Sequence, residues 1–171
     1  TVTRFASDKN FDNLDNSFGI NGKMQPNFEN TKDDWCKGGA IDANGNIVIV
    51  GYVKHGASRY DATIGRLTPT GWWDTSFSGD GKATEHFDND DMFQAVAIQP
   101  DGKIVAVGTS QYGHTGSNVL LARYNTDGTL DTSFGGGDGW QATDFSNKDL
   151  GFDVQIQSNG KIVVAGVADY G

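Results

Sequence analysis

Short apolar runs alternate along the chain with stretches rich in glycine, aspartate and asparagine. The segments 47–50 (Ile-Val-Ile-Val) and 162–165 (Ile-Val-Val-Ala) are apolar at every position, which is typical of a core strand that neighbouring sheets cover on both faces. Pro-Asp-Gly at 100–102 predicts a tight hairpin, because glycine supplies the positive φ that such turns need. Alternation and turn signals predict four strands in the middle of the chain, at 94–99, 103–109, 119–125 and 139–145.

The same pattern occurs three times, with a period of 57 to 59 residues. Leu-Asp-Asn-Ser-Phe-Gly at 14–19 returns as Trp-Asp-Thr-Ser-Phe at 73–77 and as Leu-Asp-Thr-Ser-Phe-Gly at 130–135. Asn-Gly-Asn-Ile-Val at 44–48 returns as Asp-Gly-Lys-Ile-Val at 101–105 and as Asn-Gly-Lys-Ile-Val at 159–163. A period of this size, carried by strands and turns, indicates a repeat architecture in which no unit can bury its apolar face alone.

Four antiparallel strands in each repeat, with no helix between them, predict an all-β fold of the β-propeller type with four-stranded blades. We predict one repeat domain over 1–171, with units at about 1–36 plus 152–171, 37–93 and 94–151. The chain opens at the third strand of a unit and closes at the second strand of another, so each end holds half a blade.

Three units are too few for a closed propeller, which needs about four blades. Two chains could close a six-bladed ring by sharing their half-blades, or the chain could belong to a longer tandem array. In the third arrangement, half-blades pair head to tail without closing and form a filament.

Several positions recur in every repeat. A ligand site needs one special unit, whereas a packing or turn role has to be filled in each copy, so we interpret the recurring positions as structural. The aspartate of the Asp-x-Ser-Phe run is expected to cap its own turn together with the serine, and the phenylalanine to anchor that turn between sheets. The positions are Asp15, Asp74 and Asp131, Phe18, Phe77 and Phe134, and Arg4, Arg66 and Arg123. Others are Phe28, Phe87 and Phe145, Asp34, Asp91 and Asp149, and Gly51, Gly108 and Gly166.

Two segments carry a resemblance to a known family. Residues 121–135 (LARYNTDGTLDTSFG) and 98–105 (IQPDGKIV) resemble the bacterial delta-sixty repeat. The resemblance extends over all three copies and implies a β-propeller fold and a place in a large secreted or surface protein. The first repeat departs from the pattern, with Asn-Gly-Asn at 44–46 in place of Asp-Gly-Lys.

Composition narrows the classes of function. The formal net charge of -9 argues against nucleic acid and against anionic membrane surfaces as partners. Of 22 acidic residues only Glu29 and Glu85 are glutamate, and the many aspartates favour turns over helices. The single cysteine, Cys36, excludes an intramolecular disulfide. No apolar run approaches the roughly 20 residues of a membrane-spanning helix, so we expect no membrane insertion.

Histidines are the first candidates for catalysis. His55 and His114 lie in the long connection between the second and third strands, a position that could face one mouth of a propeller. We expect loop histidines of this kind to be solvated and retain both as candidate ligand-binding residues. The sequence contains no nucleophile elbow, zinc-protease motif or phosphate loop, and we predict no catalytic residues and no enzyme activity.

An enzyme that used the central channel of a propeller would need acidic or histidine side chains on its innermost strands. The candidates at those positions are Asp42, Gln99 and Gln157. Two of the three are amides, which disfavours a metal site in the channel.

Two aspartate-rich segments raise the question of calcium. Residues 125–131 place oxygen side chains at alternate positions around a glycine, and 88–91 adds a second cluster. The glutamate that completes an EF-hand loop is absent, and turn chemistry explains the same residues. We predict no metal site and no cofactor, and keep calcium as the one candidate, with Asp127, Asp131, Asp88 and Asp90 as its ligands.

Tryptophans raise the question of sugar binding, because exposed aromatic rings stack on sugar faces. Trp35 and Trp73 align with aliphatic residues in the other repeats, which favours core packing. Trp72 and Trp140 are the better candidates for surface rings. A sugar site in each repeat would repeat its aromatic residue, and none of the four does so.

These observations predict a non-enzymatic, extracellular or cell-surface β-propeller that acts as a structural or protein-interaction surface. Its expected partner is a further copy of itself, paired through the half-blades, or further repeats; a glycan or a surface protein is a second candidate. The alternatives are a carbohydrate-binding, lectin-like propeller and a strand-exchanged filament or surface-layer subunit.

Overall fold

The computed structural model describes residues 1–7, 13–29, 33–55, 59–111 and 116–169. Its regular elements are all strands, which confirms the all-β prediction. In chain order they are β1 (Val2–Thr3), β2 (Lys23–Met24), β3 (Asp34–Ile41), β4 (Ile47–His55), β5 (Arg59–Leu67), β6 (Lys82–Glu85), β7 (Asp91–Ile98), β8 (Ile104–Ser110), β9 (Asn118–Tyr124), β10 (Trp140–Thr143), β11 (Lys148–Ile156) and β12 (Ile162–Asp169). Within the described ranges, no helix has the length and apolar character needed to cross a membrane.

The strands form four antiparallel sheets in which sequence neighbours pair with each other. The first sheet is β1–β2, the second β3–β4–β5–β6, the third β7–β8–β9–β10 and the fourth β11–β12. The four strands predicted between 94 and 145 are those of the third sheet. β7 begins three residues earlier than predicted, because the chain continues to pair with β8 beyond a bulge near Phe93. The number of blades in a finished propeller stays a prediction.

A bulge recurs in the first long strand of the second, third and fourth sheets. The register shifts between Cys36 and Gly38 in β3, between Phe93 and Ala95 in β7, and between Gly151 and Asp153 in β11. Opposite each bulge lies one of the recurring glycines, Gly51, Gly108 or Gly166. A Cβ atom on these glycines would lie 1.7 to 2.0 Å from a backbone carbonyl oxygen of the bulged strand. The bulge therefore requires glycine at this position.

The sheets pack face to face in chain order. Val50, Ile64, Ala106 and Leu120 belong to the core between the second and third sheets. Separate apolar clusters fill the junctions between the first and second sheets and between the third and fourth. Because β4 and β8 lie between two such junctions, both of their faces are apolar, as the sequence predicts.

For 162–165 the prediction of a core strand is wrong in the single chain. Ile162 and Val164 of β12 pack against the third sheet, but Val163 and Val167 on the opposite face are 46% and 47% exposed. The free edge of β12 carries no strand in the described structure. The sequence of β12 is that of a central strand, whereas its position is that of an outer one.

Candidate functional site

The recurring Asp-x-Ser-Phe run forms a turn that its own aspartate closes. Asp74 Oδ1 accepts hydrogen bonds from the Ser76 backbone N–H at 3.1 Å and from the Ser76 hydroxyl at 2.7 Å. Asp74 Oδ2 accepts a hydrogen bond from Arg66 Nε at 2.7 Å, and the guanidinium lies 5.0 Å from the centre of the Phe77 ring. The same arrangement occurs around Asp131. Around Asp15, the Arg4 Nε forms an ion pair with Asp15 Oδ2 at 2.9 Å, and Arg4 Nη2 donates a hydrogen bond to the Ser17 hydroxyl. Each turn is thus a hydrogen-bonded unit of aspartate, serine and arginine on a phenylalanine ring.

At Asp131 a fourth group joins the turn. Lys103 Nζ donates a hydrogen bond to Asp131 Oδ2 at 2.7 Å, and Arg123 Nε donates to the same oxygen at 2.7 Å. Hydrogen bonds from Lys103, Ser133 and Arg123 hold the pKa of the Asp131 carboxyl well below its usual value of 3.8. The carboxylate is therefore charged and occupied by internal donors.

The arginine and phenylalanine of the first two turns, at Asp15 and Asp74, also contact the following sheet. Arg4 Nη1 donates to the Pro69 carbonyl oxygen and Arg66 Nη1 donates to the Thr126 carbonyl oxygen, each at 2.6 Å. The Phe77 ring lies directly under the turn at Gly128, where a Cβ atom would come within 2.9 Å of it. These residues act as connectors between neighbouring sheets.

The aspartates at the start of β7 and β11 also hold backbone. Asp91 Oδ2 accepts the N–H groups of Phe87 and Asp88 at 2.7 and 2.9 Å. Asp149 Oδ2 accepts the N–H groups of Phe145 and Ser146 at 2.6 and 3.2 Å. These hydrogen bonds explain why an aspartate recurs at the start of β7 and β11.

The four calcium candidates lie in separate environments. Asp127 accepts two hydrogen bonds from Thr129, Asp131 is occupied as described above, and Asp90 Oδ1 accepts the Tyr60 N–H at 2.9 Å. Asp88 donates its own N–H to Asp91. Among the residues that the structure describes, no group of three or more His, Cys, Asp and Glu side chains is arranged to hold a metal ion. The structure does not bring the four candidates together, and calcium binding stays a prediction.

The remaining sequence candidates differ in their surroundings. Trp72 is exposed and borders a shallow pocket with Ile20 and Lys23. The Trp140 ring lies 5.0 Å from the Phe87 ring and packs against the core between the second and third sheets. Asp42 caps its hairpin by accepting the N–H groups of Asn44 and Asn46, each at 2.8 Å. Its carboxylate therefore serves a turn.

One polar cluster brings two histidines to two buried carboxylates between the second and third sheets. His86 Nδ1 lies 3.2 Å from Asp61 Oδ1 and 3.7 Å from Asp91 Oδ2. His55 Nδ1 lies 3.5 Å from Asp61 Oδ2 and 3.4 Å from Glu29 Oε2. Asp61 is 4% exposed, whereas both imidazoles are open to solvent. His114, the other histidine candidate, lies outside the described residues.

This cluster is not repeated at the junction between the third and fourth sheets. At the equivalent positions between the third and fourth sheets, Asn118 replaces Asp61 and Asp144 replaces His86. The aspartate–histidine pair at the junction of the second and third sheets thus corresponds to an asparagine–aspartate pair at the next junction. Sequence analysis named His55 but missed Asp61, although comparing the repeats at that position would have shown the exchange.

The exchange predicts a rescue experiment. His86→Asp should lower the free energy of unfolding by about 2 kcal/mol, because it places a third carboxylate beside Asp61 and Asp91 and removes the imidazole that lies near both. Adding Asp61→Asn reproduces the pair found at the other junction and should restore at least half of the loss. Urea unfolding of both single variants and the double variant at pH 7 measures the coupling. Additive losses in the double variant would show that the two side chains do not interact.

A groove runs along the free edge of β12. It has a volume of about 360 Å³, and its walls come from β9, β10, the loop after β10, and β12. Its apolar lining residues are Val119, Leu121, Phe145, Ile162, Val164 and Val167. At the junction between the second and third sheets, the equivalent surface of β5 and β6 is covered by β9 and β10. The groove is therefore the place that a third and a fourth strand would occupy beside β12.

A comparison with protein families agrees with this architecture. The family model described as "Domain of unknown function (DUF5122) beta-propeller" matches residues 99–134, about a fifth of the chain. The matched segment contains β8, β9 and the Asp131 turn. No curated protein matches the sequence. The chain is thus similar to a β-propeller-like repeat family over part of one of its repeats.

Proposed function

We propose that the chain is a non-enzymatic propeller segment of the delta-sixty type that serves as a structural or protein-interaction element. In this proposal its two-stranded sheets are completed by pairing with other copies of the chain or with further repeats. Its place of action is outside the cell or on the cell surface, as in the proteins that carry this repeat.

The exposure of apolar residues at the two outer sheets carries the proposal. β8 is buried along its whole length, whereas β12, at the equivalent position, exposes Val163, Ala165 and Val167. At the other end Phe5 is 58% exposed, whereas its equivalents Leu67 and Tyr124 are fully buried. A sheet that stops after two strands leaves its hydrogen-bonding edge free and its apolar residues in water, which favours strand addition.

The two outer sheets are complementary. β11 and β12 correspond to the first and second strands of a complete sheet, and β1 and β2 correspond to the third and fourth. Pairing one with the other produces a sheet with the strand order of the second and third sheets. The internal hydrogen bonds of the recurring turns support a structural role for these residues.

The mass of the native particle tests the proposal. Light scattering after size exclusion should give a multiple of the 18.3 kDa chain, in samples with and without a calcium chelator. A discrete mass would support a closed ring, and long polydisperse particles would support a filament. A monomer at every concentration up to the millimolar range, with no binding of added repeats, would contradict the proposal.

A further inference from the structure

We propose that the groove beside β12 binds strand β1 of a second copy of this chain, antiparallel to β12 and with Ile162 opposite Phe5. This inference rests on the proposed function and names the partner and its register. The two complete sheets within the chain, the shape of the groove and a pair of opposite charges support it.

The register follows from two internal templates. In the second sheet Ile47 pairs with Leu67, and in the third sheet Ile104 pairs with Tyr124. β12 begins at the residue equivalent to Ile47 and Ile104, and Phe5 is equivalent to Leu67 and Tyr124. Transferring the pairs places Ile162 opposite Phe5, Val163 opposite Arg4, Val164 opposite Thr3 and Ala165 opposite Val2. A shift of β1 by one residue would turn its side chains to the opposite face of the sheet and take Phe5 away from the groove.

The backbone hydrogen bonds that β1 makes within its own sheet are those of a strand whose other edge can pair with β12. Arg4 donates its N–H to the Gly22 carbonyl and accepts the Asp15 N–H at its own carbonyl, both within its own sheet. Arg123 uses its N–H and carbonyl in the same way, with Gly139 and Asp131. Val163 and Arg4 therefore form a pair without direct hydrogen bonds, and so do Ala165 and Val2, two residues along. The backbone N–H and C=O groups of Thr3, which lies between Val2 and Arg4, then face the free edge of β12 in the other copy.

The groove has the lining that β1 requires. At the complete junction, Tyr124 of the third sheet packs in one core with Ala62 and Ile64 of β5. Their equivalents in β9 are Val119 and Leu121, and both line the groove. Phe5 of the second copy takes the place of Tyr124, so its exposed ring enters an apolar surface that is otherwise open to water.

A charge pair at the end of the strands supports the same register. Lys103 precedes β8 and donates to Asp131 across the β8–β9 pair at 2.7 Å. The residue equivalent to Lys103 before β12 is Lys161, and the residue equivalent to Asp131 after β1 is Asp15. Lys161 is exposed, and Asp15 keeps about a third of its side chain open to solvent. In the proposed dimer contact Lys161 of one copy reaches Asp15 of the other.

Disulfide trapping tests the register. In a Cys36→Ala background, the double variant Val2→Cys/Ala165→Cys should form disulfide-linked oligomers under mild oxidation, because directly opposed pairs without hydrogen bonds bring Cβ atoms within bonding range. The matched control Val2→Cys/Val167→Cys places the second cysteine two residues further along the same face and should link at least about fivefold less. Links within one chain, or equal yields from both variants, would overturn the proposal.

Association of reduced variants provides an independent readout. Phe5→Ser and Lys161→Glu should each weaken self-association, the former by about tenfold or more. Lys148→Glu, the same charge change on β11 away from the proposed contact, should leave association unchanged. Circular dichroism verifies that each variant is folded. If the native chain associates but Phe5→Ser and Lys161→Glu have no effect, this partner strand is wrong and the proposed function stands. If the native chain is monomeric, this partner strand is wrong, and the proposed function fails as well only if added repeats do not bind.

Discussion

Replacing Gly108 by alanine is expected to lower the free energy of unfolding by about 3 kcal/mol or more. The added Cβ atom would lie 1.9 Å from the carbonyl oxygen of Met92, in the strand that carries the bulge. A backbone oxygen cannot rotate away as a flexible side chain can, so either the bulge or the pairing of β7 with β8 has to change. Urea unfolding followed by circular dichroism measures the loss.

Gly39→Ala is the matched control for this substitution. Gly39 also lies in a strand, but the nearest atom to an added Cβ would be the Val48 carbonyl oxygen at 3.4 Å, an ordinary contact distance. We expect a change of less than about 1 kcal/mol in the free energy of unfolding. Equal losses for the two variants would show that the bulge does not depend on glycine.

Phe77→Ala should cost about 3–5 kcal/mol of stability, whereas Phe134→Ala should cost no more than about half as much. Both rings anchor the same kind of turn under an arginine, at 5.0 and 4.7 Å from the guanidinium. Phe77 is fully buried because the turn at Gly128 in the third sheet covers it. Phe134 is only half-buried in the single chain. The difference between the two losses therefore measures the contribution of the following sheet.

Thermal and urea unfolding of both variants, at concentrations where the native chain does not associate, tests this prediction. A loss at Phe134 as large as that at Phe77 would mean that the ring stabilises its own turn alone. The role of the recurring phenylalanine as a connector between sheets would then be wrong.

The local pattern of apolar, polar and turn residues was sufficient to predict the strands and the turns. The four strands of the third sheet follow from alternation and from turn residues that are close together in sequence, and the recurring glycines mark where a bulge needs room. β7 extends beyond its predicted start because a bulge breaks the alternation near Phe93.

Contacts between sheets could not be predicted in the same way. The Asp61–His86 pair joins two strand ends across a junction, and its geometry depends on how the second and third sheets stack. The exposure of β12 was missed for a related reason. The apolar sequence of a strand indicates that its faces need apolar neighbours. It does not indicate which segment provides those neighbours.

The forward contacts of Arg4 and Arg66 give the array of sheets a direction. The turns at Asp15 and Asp74 each donate to the sheet that follows them in the chain, and equivalent positions make both contacts. An in-frame duplication of one repeat in the gene would thus copy both the arginine that donates in this contact and the backbone carbonyl that accepts. Proteins built from such units can become longer or shorter in evolution without a new interface having to arise first.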